Sequence, residues 1–241
     1  MTLFSRRAFV FVSSHFGSEL GPVERGFIAI MAELVSLGAS VHYIASPDSP
    51  GIEAARAVGA TVAPYLLTRA NVVRSVSRLR KYLRRIDPVV VHAAGHEASV
   101  LLRLASRPLS AAVVDTVLSR EWPPRGRNRA TSRARRSMDR RTGPQSDFVI
   151  ADSEDLRRAM VDAGYDASCV MAEPLVTAAF VPRGDDAAGG DSVGALIRHH
   201  LAVYERLMAR WEGPSKAKGP KRRMTIRRVR RDVRRAVRQD R

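Results

Sequence analysis

The sequence predicts an α/β fold: a Rossmann-like, doubly wound parallel sheet of about seven strands with helices on its faces. Seven short runs of apolar, β-branched or aromatic residues have the composition of buried parallel strands. The segments between them place apolar residues three and four positions apart, as amphipathic helices do. Strands that alternate with such helices are joined by crossover connections, which indicates a parallel sheet.

The predicted strands and helices follow one another along residues 8–182. The strands are residues 8–13, 40–45, 61–65, 89–92, 111–117, 148–151 and 169–172. The first helix ends at Gly38, a residue suited to the left-handed conformation that often closes a helix. A later helix ends before Asp87 and Pro88, because proline disfavours helix in the residue before it. Ligands of this fold bind beyond the carboxyl ends of the strands, so function is expected in the loops that follow them.

Length and composition allow one substantial core. The chain has 241 residues, of which 45% are hydrophobic. Its single cysteine, Cys169, excludes an internal disulfide framework. No apolar run approaches the roughly 20 residues that span a bilayer, and the N-terminus lacks a signal-peptide pattern. These features predict a cytoplasmic protein, or one that is peripheral at the inner face of the membrane.

The net charge of +17 is concentrated in two segments. Residues 214–241 carry 13 Lys and Arg against two acidic residues, and residues 120–141 carry nine Arg against two acidic residues. Together these segments account for more than the whole net charge, so the remainder of the chain is close to neutral. This pattern indicates a neutral folded body with basic surfaces attached to it.

Beyond residue 182 the alternation of strands and helices ends. Residues 1–182 are predicted to form the domain, and residues 183–190 a linker. Residues 191–212 are predicted to form a helix that packs back on the domain, and residues 213–241 a basic tail that is flexible or helical. The apolar stripe of the helix consists of Val193, Leu196, Ile197, Leu201, Tyr204, Leu207, Met208 and Trp211.

Both basic segments suit an anionic partner. In the tail, Ile226, Val229, Val233 and Val237 share one helical face among arginines, a pattern compatible with anionic lipid, nucleic acid or an acidic protein. A solvated arginine loop and a disordered, solubilising tail are the alternatives. The tail lacks the interleaved aromatic residues of a platform for single-stranded nucleic acid, which argues against recognition of bases. Salt-dependent association with nucleic acid through residues 214–241 stays open.

Motifs around four of the strands carry a family resemblance. They are the glycine-containing turn of residues 15–25, the segment of residues 85–95, the strand Val113-Val114-Asp115-Thr116, and residues 147–156 followed by residues 173–182. In this order and spacing they resemble the N-terminal, acceptor-side domain of family 4-like glycosyltransferases of the GT-B type. The resemblance implies that the chain binds a sugar acceptor and takes part in transfer from a nucleotide sugar.

The first group of candidate substrate-binding residues lies in the turn before the first helix. Gly21 and the following helical turn would present backbone N–H groups to a phosphate or a developing oxyanion. The alternative is that the glycine only closes a tight connection from strand to helix. Glu24 and Arg25 would orient an acceptor hydroxyl or phosphate, or would be solvated charges at the start of a helix.

The second group lies at the ends of later strands. His92 and Gly95 are placed to contact a sugar acceptor, although an isolated histidine is more often a structural residue with its hydrogen bonds satisfied. Thr116, Ser153 and Glu173 are substrate-binding candidates that the resemblance alone implies. No catalytic residue is assigned.

The sequence predicts neither a cofactor nor a metal. There is no Gly-x-Gly-x-x-Gly turn after the first strand, which argues against a dinucleotide. His92 and His96 do not share a helix face as zinc ligands would, and the carboxylates around Ser153 fit a helix N-terminus. The resemblance also implies catalysis without a bound divalent ion.

Departures from the family pattern leave two function classes open. Pro22 stands where a second glycine is usual and removes one N–H donor, and Leu118 stands where many members carry a histidine. The second domain of the family, which supplies most nucleotide-sugar contacts, is not recognisable after Pro182. The chain therefore either supplies the acceptor side while a partner chain supplies the donor side, or it is a non-catalytic relative that binds an anionic membrane or partner through its arginines.

Overall fold

The computed structural model describes residues 2–14, 19–64, 72–107, 109–119, 122, 129–173 and 189–212. Its centre is one seven-stranded sheet in which each neighbouring pair of strands is parallel, as predicted. The strands are β1 Ala8–Ser13, β2 Ser40–Ala45, β3 Thr61–Pro64, β4 Val90–Ala94, β5 Ala112–Val117, β6 Phe148–Ala151 and β7 Val170–Ala172. Their order across the sheet is β3-β2-β1-β4-β5-β6-β7. Strands β1 to β3 are added towards one edge of the sheet and strands β4 to β7 towards the other edge. This change in the direction of strand addition makes the sheet doubly wound.

Seven α-helices lie in the described part of the chain. They are α1 Pro22–Ser36, α2 Gly51–Ala57, α3 Val72–Ile86, α4 His96–Ser106, α5 Arg129–Thr142, α6 Glu154–Asp162 and α7 Gly189–Glu212. Gly38 has φ 82°, so the first helix does end in the left-handed conformation expected there. None of the described helices has the length and hydropathy needed to cross a membrane.

The helices bury the two faces of the sheet in separate apolar layers. α1, α2 and α7 cover one face, where Phe9, Phe11 and Ile150 of the strands meet Leu34 and Leu207 of the helices. α3 and α4 cover the opposite face, and α6 packs against β6 and β7 on that side. Because strand residues alternate between the faces, each strand contributes side chains to both layers.

α7 is an integral part of the first layer. It lies against α1 and β5. Its buried side chains are Leu196, His200, Val203, Tyr204, Leu207 and Met208. The rest of the predicted linker, residues 183–188, and the basic tail, residues 213–241, lie outside the described residues.

Candidate functional site

The eight predicted site residues fall into an edge group and a buried group. Gly21, Arg25, Gly95 and Ser153 lie at the carboxyl edge of the sheet or in the first turn of the helix that follows. Glu24, His92, Thr116 and Glu173 are buried, with exposed fractions of 0–3%. The structure brings His92 and Thr116 into direct contact and places Glu173 against α7.

The turn that begins α1 is held by a buried carboxylate. Gly21 is the N-terminal cap residue with an extended backbone, and Pro22 is the first residue of the helix. Arg25 donates from Nη1 to the carbonyl of Leu20 at 2.6 Å. Glu24 turns inward, and its Oε1 accepts a hydrogen bond from Ser13 Oγ at 2.8 Å. Glu24 therefore ties the start of α1 to the end of β1.

Tyr43 of β2 belongs to the same cluster, and no sequence pattern predicts its place there. Burial, followed by the negative charge of Glu24, raises the pKa of Tyr43 to about 12. A Cβ atom at Gly51 would lie 2.6 Å from the tyrosine oxygen. The first residue of α2 must therefore be glycine for Tyr43 to occupy this position.

His92 lies in the middle of β4 beneath α7, and its ring is fully buried. Its Nδ1 lies 2.6 Å from the hydroxyl of Tyr204, and its Nε2 lies 2.8 Å from Oγ1 of Thr116. Burial lowers the pKa of His92 well below its usual value, and His200 lowers it further. The imidazole is therefore neutral at pH 7, with one nitrogen donating and the other accepting. This is the geometry of a structural histidine with both hydrogen bonds satisfied.

Glu173 follows β7 and faces the same helix. Its backbone N–H donates to the carbonyl of Ala151 at 2.7 Å, and its carboxylate contacts Nδ1 of His199. His199 is more than half exposed, whereas the neighbouring His200 is buried. Glu173 therefore contacts α7, an interaction that the family resemblance, which implies a substrate-binding role, does not predict.

Gly95 is the one predicted site residue whose backbone demands glycine. It ends β4 and caps α4 with φ 89° and ψ 147°, a region that other residues rarely enter. Its carbonyl accepts from the N–H of Ser99 at 3.0 Å. The chain can therefore turn directly from the carboxyl edge of the sheet into α4.

An exposed polar cluster joins the ends of β5 and β6. The backbone N–H of Ser119 donates to Oδ2 of Asp152 at 2.8 Å, and its hydroxyl donates to Oδ1. The hydroxyls of Ser119 and Ser153 lie 3.1 Å apart, and Ser153 Oγ accepts from the N–H of Leu156 at 3.2 Å. Ser153 is thus the N-cap of α6, as expected, while Ser119 was not foreseen.

On the opposite face of the sheet, a buried arginine joins two helices to β5. Arg103 of α4 donates from Nε to Asp115 at 2.7 Å and from Nη1 to Asp139 of α5 at 2.8 Å. Tyr165 donates to the other oxygen of Asp139 at 2.7 Å. Burial opposes the charge on Arg103, but Asp115, Tyr165 and Asp139 together raise its pKa above the usual value. This network fixes the orientation of α5.

The outer side of α5 is basic. Asp139 points inward, while exposed arginines recur every three or four residues, so they share one face of the helix. They are Arg129, Arg133, Arg136 and Arg140, and we call them the arginine stripe. The stripe spans about 16 Å at the rise of an α-helix.

Within the described residues, no cluster of three or more His, Cys, Asp or Glu residues could hold a metal ion.

These elements define the class of protein: a Rossmann-like α/β domain of the kind that forms one half of GT-B glycosyltransferases. A glycosyltransferase from Rickettsia africae is similar in structure, with TM-score 0.53, 14% identity and coverage of 69% of this chain and 42% of that chain. HepE from Anabaena in complex with UDP-glucose has TM-score 0.51 and 16% identity, with coverage of 68% of this chain and 43% of that chain. S. aureus MnaA with UDP has TM-score 0.51 and 10% identity, with coverage of 77% of this chain and 51% of that chain. At these identities the likeness shows the fold.

The sequence then gives the family. The family model of glycosyltransferase family 4 matches residues 23–172, which is more than half of the chain. The chain therefore belongs to glycosyltransferase family 4. It spans about half the length, or less, of the three similar structures. No curated protein matches the sequence at a significant level.

Proposed function

We propose that this chain supplies the acceptor-binding side of glycosyl transfer from a nucleotide sugar, and that a partner chain supplies the donor side. The observation that carries the proposal is the family 4 match over residues 23–172, on a sheet whose carboxyl edge presents polar groups. The exposed cluster of Ser119, Asp152 and Ser153 is the part of that edge best suited to hydroxyl groups. Its carboxylate oxygens each have a further lone pair with which to accept from a sugar hydroxyl.

The proposal divides the chemistry between two chains. Glycosyl transfer requires the donor and the acceptor to be held in near-attack geometry with water excluded. One domain that positions only the acceptor cannot provide this geometry. The isolated chain is therefore expected to bind acceptors without transferring sugar to them.

Calorimetry with UDP-glucose tests the division of labour. The isolated chain is expected to show no saturable binding at nucleotide-sugar concentrations up to about 1 mM, which corresponds to a binding free energy weaker than about −4 kcal/mol. Saturable binding in the micromolar range would mean that the donor site is built within this chain. That outcome would contradict the need for a partner.

Binding to an array of neutral and phosphorylated oligosaccharides tests the acceptor side. For the best ligand found, Asp152→Asn is expected to weaken binding by about ten-fold or more, because hydrogen bonds to a charged acceptor contribute about 1.5–3 kcal/mol. Asp155→Asn is the matched control, since this exposed carboxylate lies in the first turn of α6 and pairs with Arg158. If the two substitutions weakened acceptor binding equally, or if neither weakened it, the assignment of the Asp152 cluster to the acceptor site would be contradicted.

A second candidate function rests on the arginine stripe of α5: a non-catalytic relative would use it to bind an anionic membrane surface. Each basic residue near such a surface contributes about 1 kcal/mol. Replacement of Arg129, Arg133, Arg136 and Arg140 by glutamine is expected to weaken binding to phosphatidylglycerol vesicles by at least about 30-fold at low salt. The control is Arg157→Gln with Arg158→Gln on α6, and sedimentation with vesicles is the measurement. An equal loss of binding free energy per charge removed in the control would show a nonspecific effect of net charge.

A further inference from the structure

The interface between α7 and the sheet contains two stacked imidazoles. His92 of β4 and His200 of α7 have exposed fractions of 0% and 2%, and their ring centroids are 5.7 Å apart. The planes of the two rings differ by 25°. A proton on either ring would place a charge in a region from which water is excluded, and protons on both would place two like charges side by side.

The hydrogen bonds of both rings fit the neutral state. His92 uses its two nitrogens with the hydroxyls of Tyr204 and Thr116. His200 lies with Nδ1 at 3.0 Å from the carbonyl of Leu196, so this nitrogen carries the proton and donates it. Neither ring needs a charge to complete these contacts.

The surroundings of the two rings offer little compensation for a charge. α1 and β1 contribute the rings of Phe27 and Phe11 beside His92. β5 contributes the hydroxyl of Thr116, and α7 contributes Tyr204 and the partly exposed His199. The carboxylate that acts on His200 is that of Glu173 at the end of β7, and it already contacts His199. Glu173 therefore acts on the two histidines of α7, while the charged neighbour that acts on the pKa of His92 is His200.

We infer that acid weakens the docking of α7 on the sheet: protonation of His200 and His92 favours release of the helix and exposure of the face that carries His92 and Thr116. The helix stays docked at neutral pH through apolar contacts and through the hydrogen bond between His92 and Tyr204. Acidification charges the imidazoles most readily when they are in water, which favours the released state. The device requires neither a donor sugar nor an acceptor, so its test is independent of glycosyl transfer.

The direction of the pH dependence follows from the pKa values. Burial lowers the pKa of His200 from 6.5 to about 4, while the contact with Leu196 and the charge of Glu173 act in the opposite direction. A histidine with a lowered pKa in the docked state takes up its proton on release. Its contribution to docking is therefore complete above about pH 6.5 and is lost progressively as the pH falls towards about 4.

Hydrogen exchange of the full-length protein measures the release. Protection factors for residues 193–210, corrected for the intrinsic effect of pH on exchange, are compared at pH 7.5 and pH 5.0. They are expected to fall by about 30-fold from the titration of His200 alone, since its pKa changes by more than two units on release. The protection of α3, on the opposite face of the sheet, is expected to fall much less.

Matched variants separate this mechanism from general acid destabilisation. His200→Asn keeps a donor for the carbonyl of Leu196 but cannot be charged, so the acid-induced loss of protection in α7 should shrink by about ten-fold or more. His42→Asn is the control, because His42 contacts Tyr82 of α3 instead of α7 and should leave the loss unchanged. Unchanged protection of residues 193–210 in the wild-type protein at pH 5.0 would overturn the inference even if a variant failed to fold. An equal loss in His200→Asn and the wild-type protein would overturn it as well.

Discussion

A chain that ends at residue 188, and so lacks α7, is expected to unfold at a much lower urea concentration than the full chain. The truncation removes Leu196, Val203, Leu207 and Met208 from the core, and burial of four such side chains contributes about 6–12 kcal/mol. That range is comparable with the entire stability of an ordinary domain, about 5–15 kcal/mol. The truncation would also leave His92 without its hydrogen bond to the hydroxyl of Tyr204. Urea denaturation followed by circular dichroism is the measurement.

The control for this truncation is a chain that ends at residue 213. It lacks the basic tail but keeps the whole of α7, so its denaturation midpoint is expected to stay close to that of the full chain. A cooperative transition in the chain that ends at residue 188, with a midpoint similar to the control, would show that α7 contributes little to the core. Comparison of the two chains thus separates the helix from the tail that follows it.

Replacement of Arg103 by alanine is expected to lower the free energy of unfolding by about 3–5 kcal/mol, because it leaves two buried carboxylates without their cation. Asp115 and Asp139 are 0% and 3% exposed, so water cannot take the place of the guanidinium. The loss should appear in the denaturation midpoint and in a lower protection of α5 against hydrogen exchange. Both effects follow from one residue that holds α4, α5 and β5 together.

The control for this substitution is Arg135→Ala. Arg135 pairs with Glu97 at 3.0 Å, but the two side chains are 27% and 24% exposed, so solvent screens the interaction. Its loss is expected to cost about 1 kcal/mol or less. If Arg103→Ala were as mild as this control, the buried network would be replaceable by water or by apolar packing, and its role in orienting α5 would be contradicted.

The fold could be predicted because local patterns determine most of it. β1, β2 and β6 have the predicted bounds, since each is an apolar run between turn residues or helix ends. β4 extends to Ala94, two residues past the prediction, because Ala93 and Ala94 have no distinctive preference for strand and are held by pairing with β1 and β5. The structure places all but the last residue of α5 within residues 120–141, for which a solvated loop is one of the sequence-based alternatives, because this mostly polar segment lacks an apolar stripe.

The contacts of the candidate site could be predicted only in part. The start of a helix at Ser153 follows from the carboxylates around it, and Ser153 is the N-cap of α6 in the structure. The partners of His92 could not be read from the sequence, because Tyr204 lies 112 residues further along the chain. The network of Arg103 was missed for the same reason, since its members come from separate helices and a strand. Long-range polar pairs of this kind carry no periodic signal.

The separation in sequence between His92 and Tyr204 also has a consequence for biosynthesis. One apolar face of the sheet, including Phe9 and Phe11, is translated long before α7, one of the helices that cover it. The nascent polypeptide therefore exposes part of this face until α7 has emerged, a condition that favours aggregation. We expect its yield on expression to depend on chaperones that bind apolar segments emerging from the ribosome.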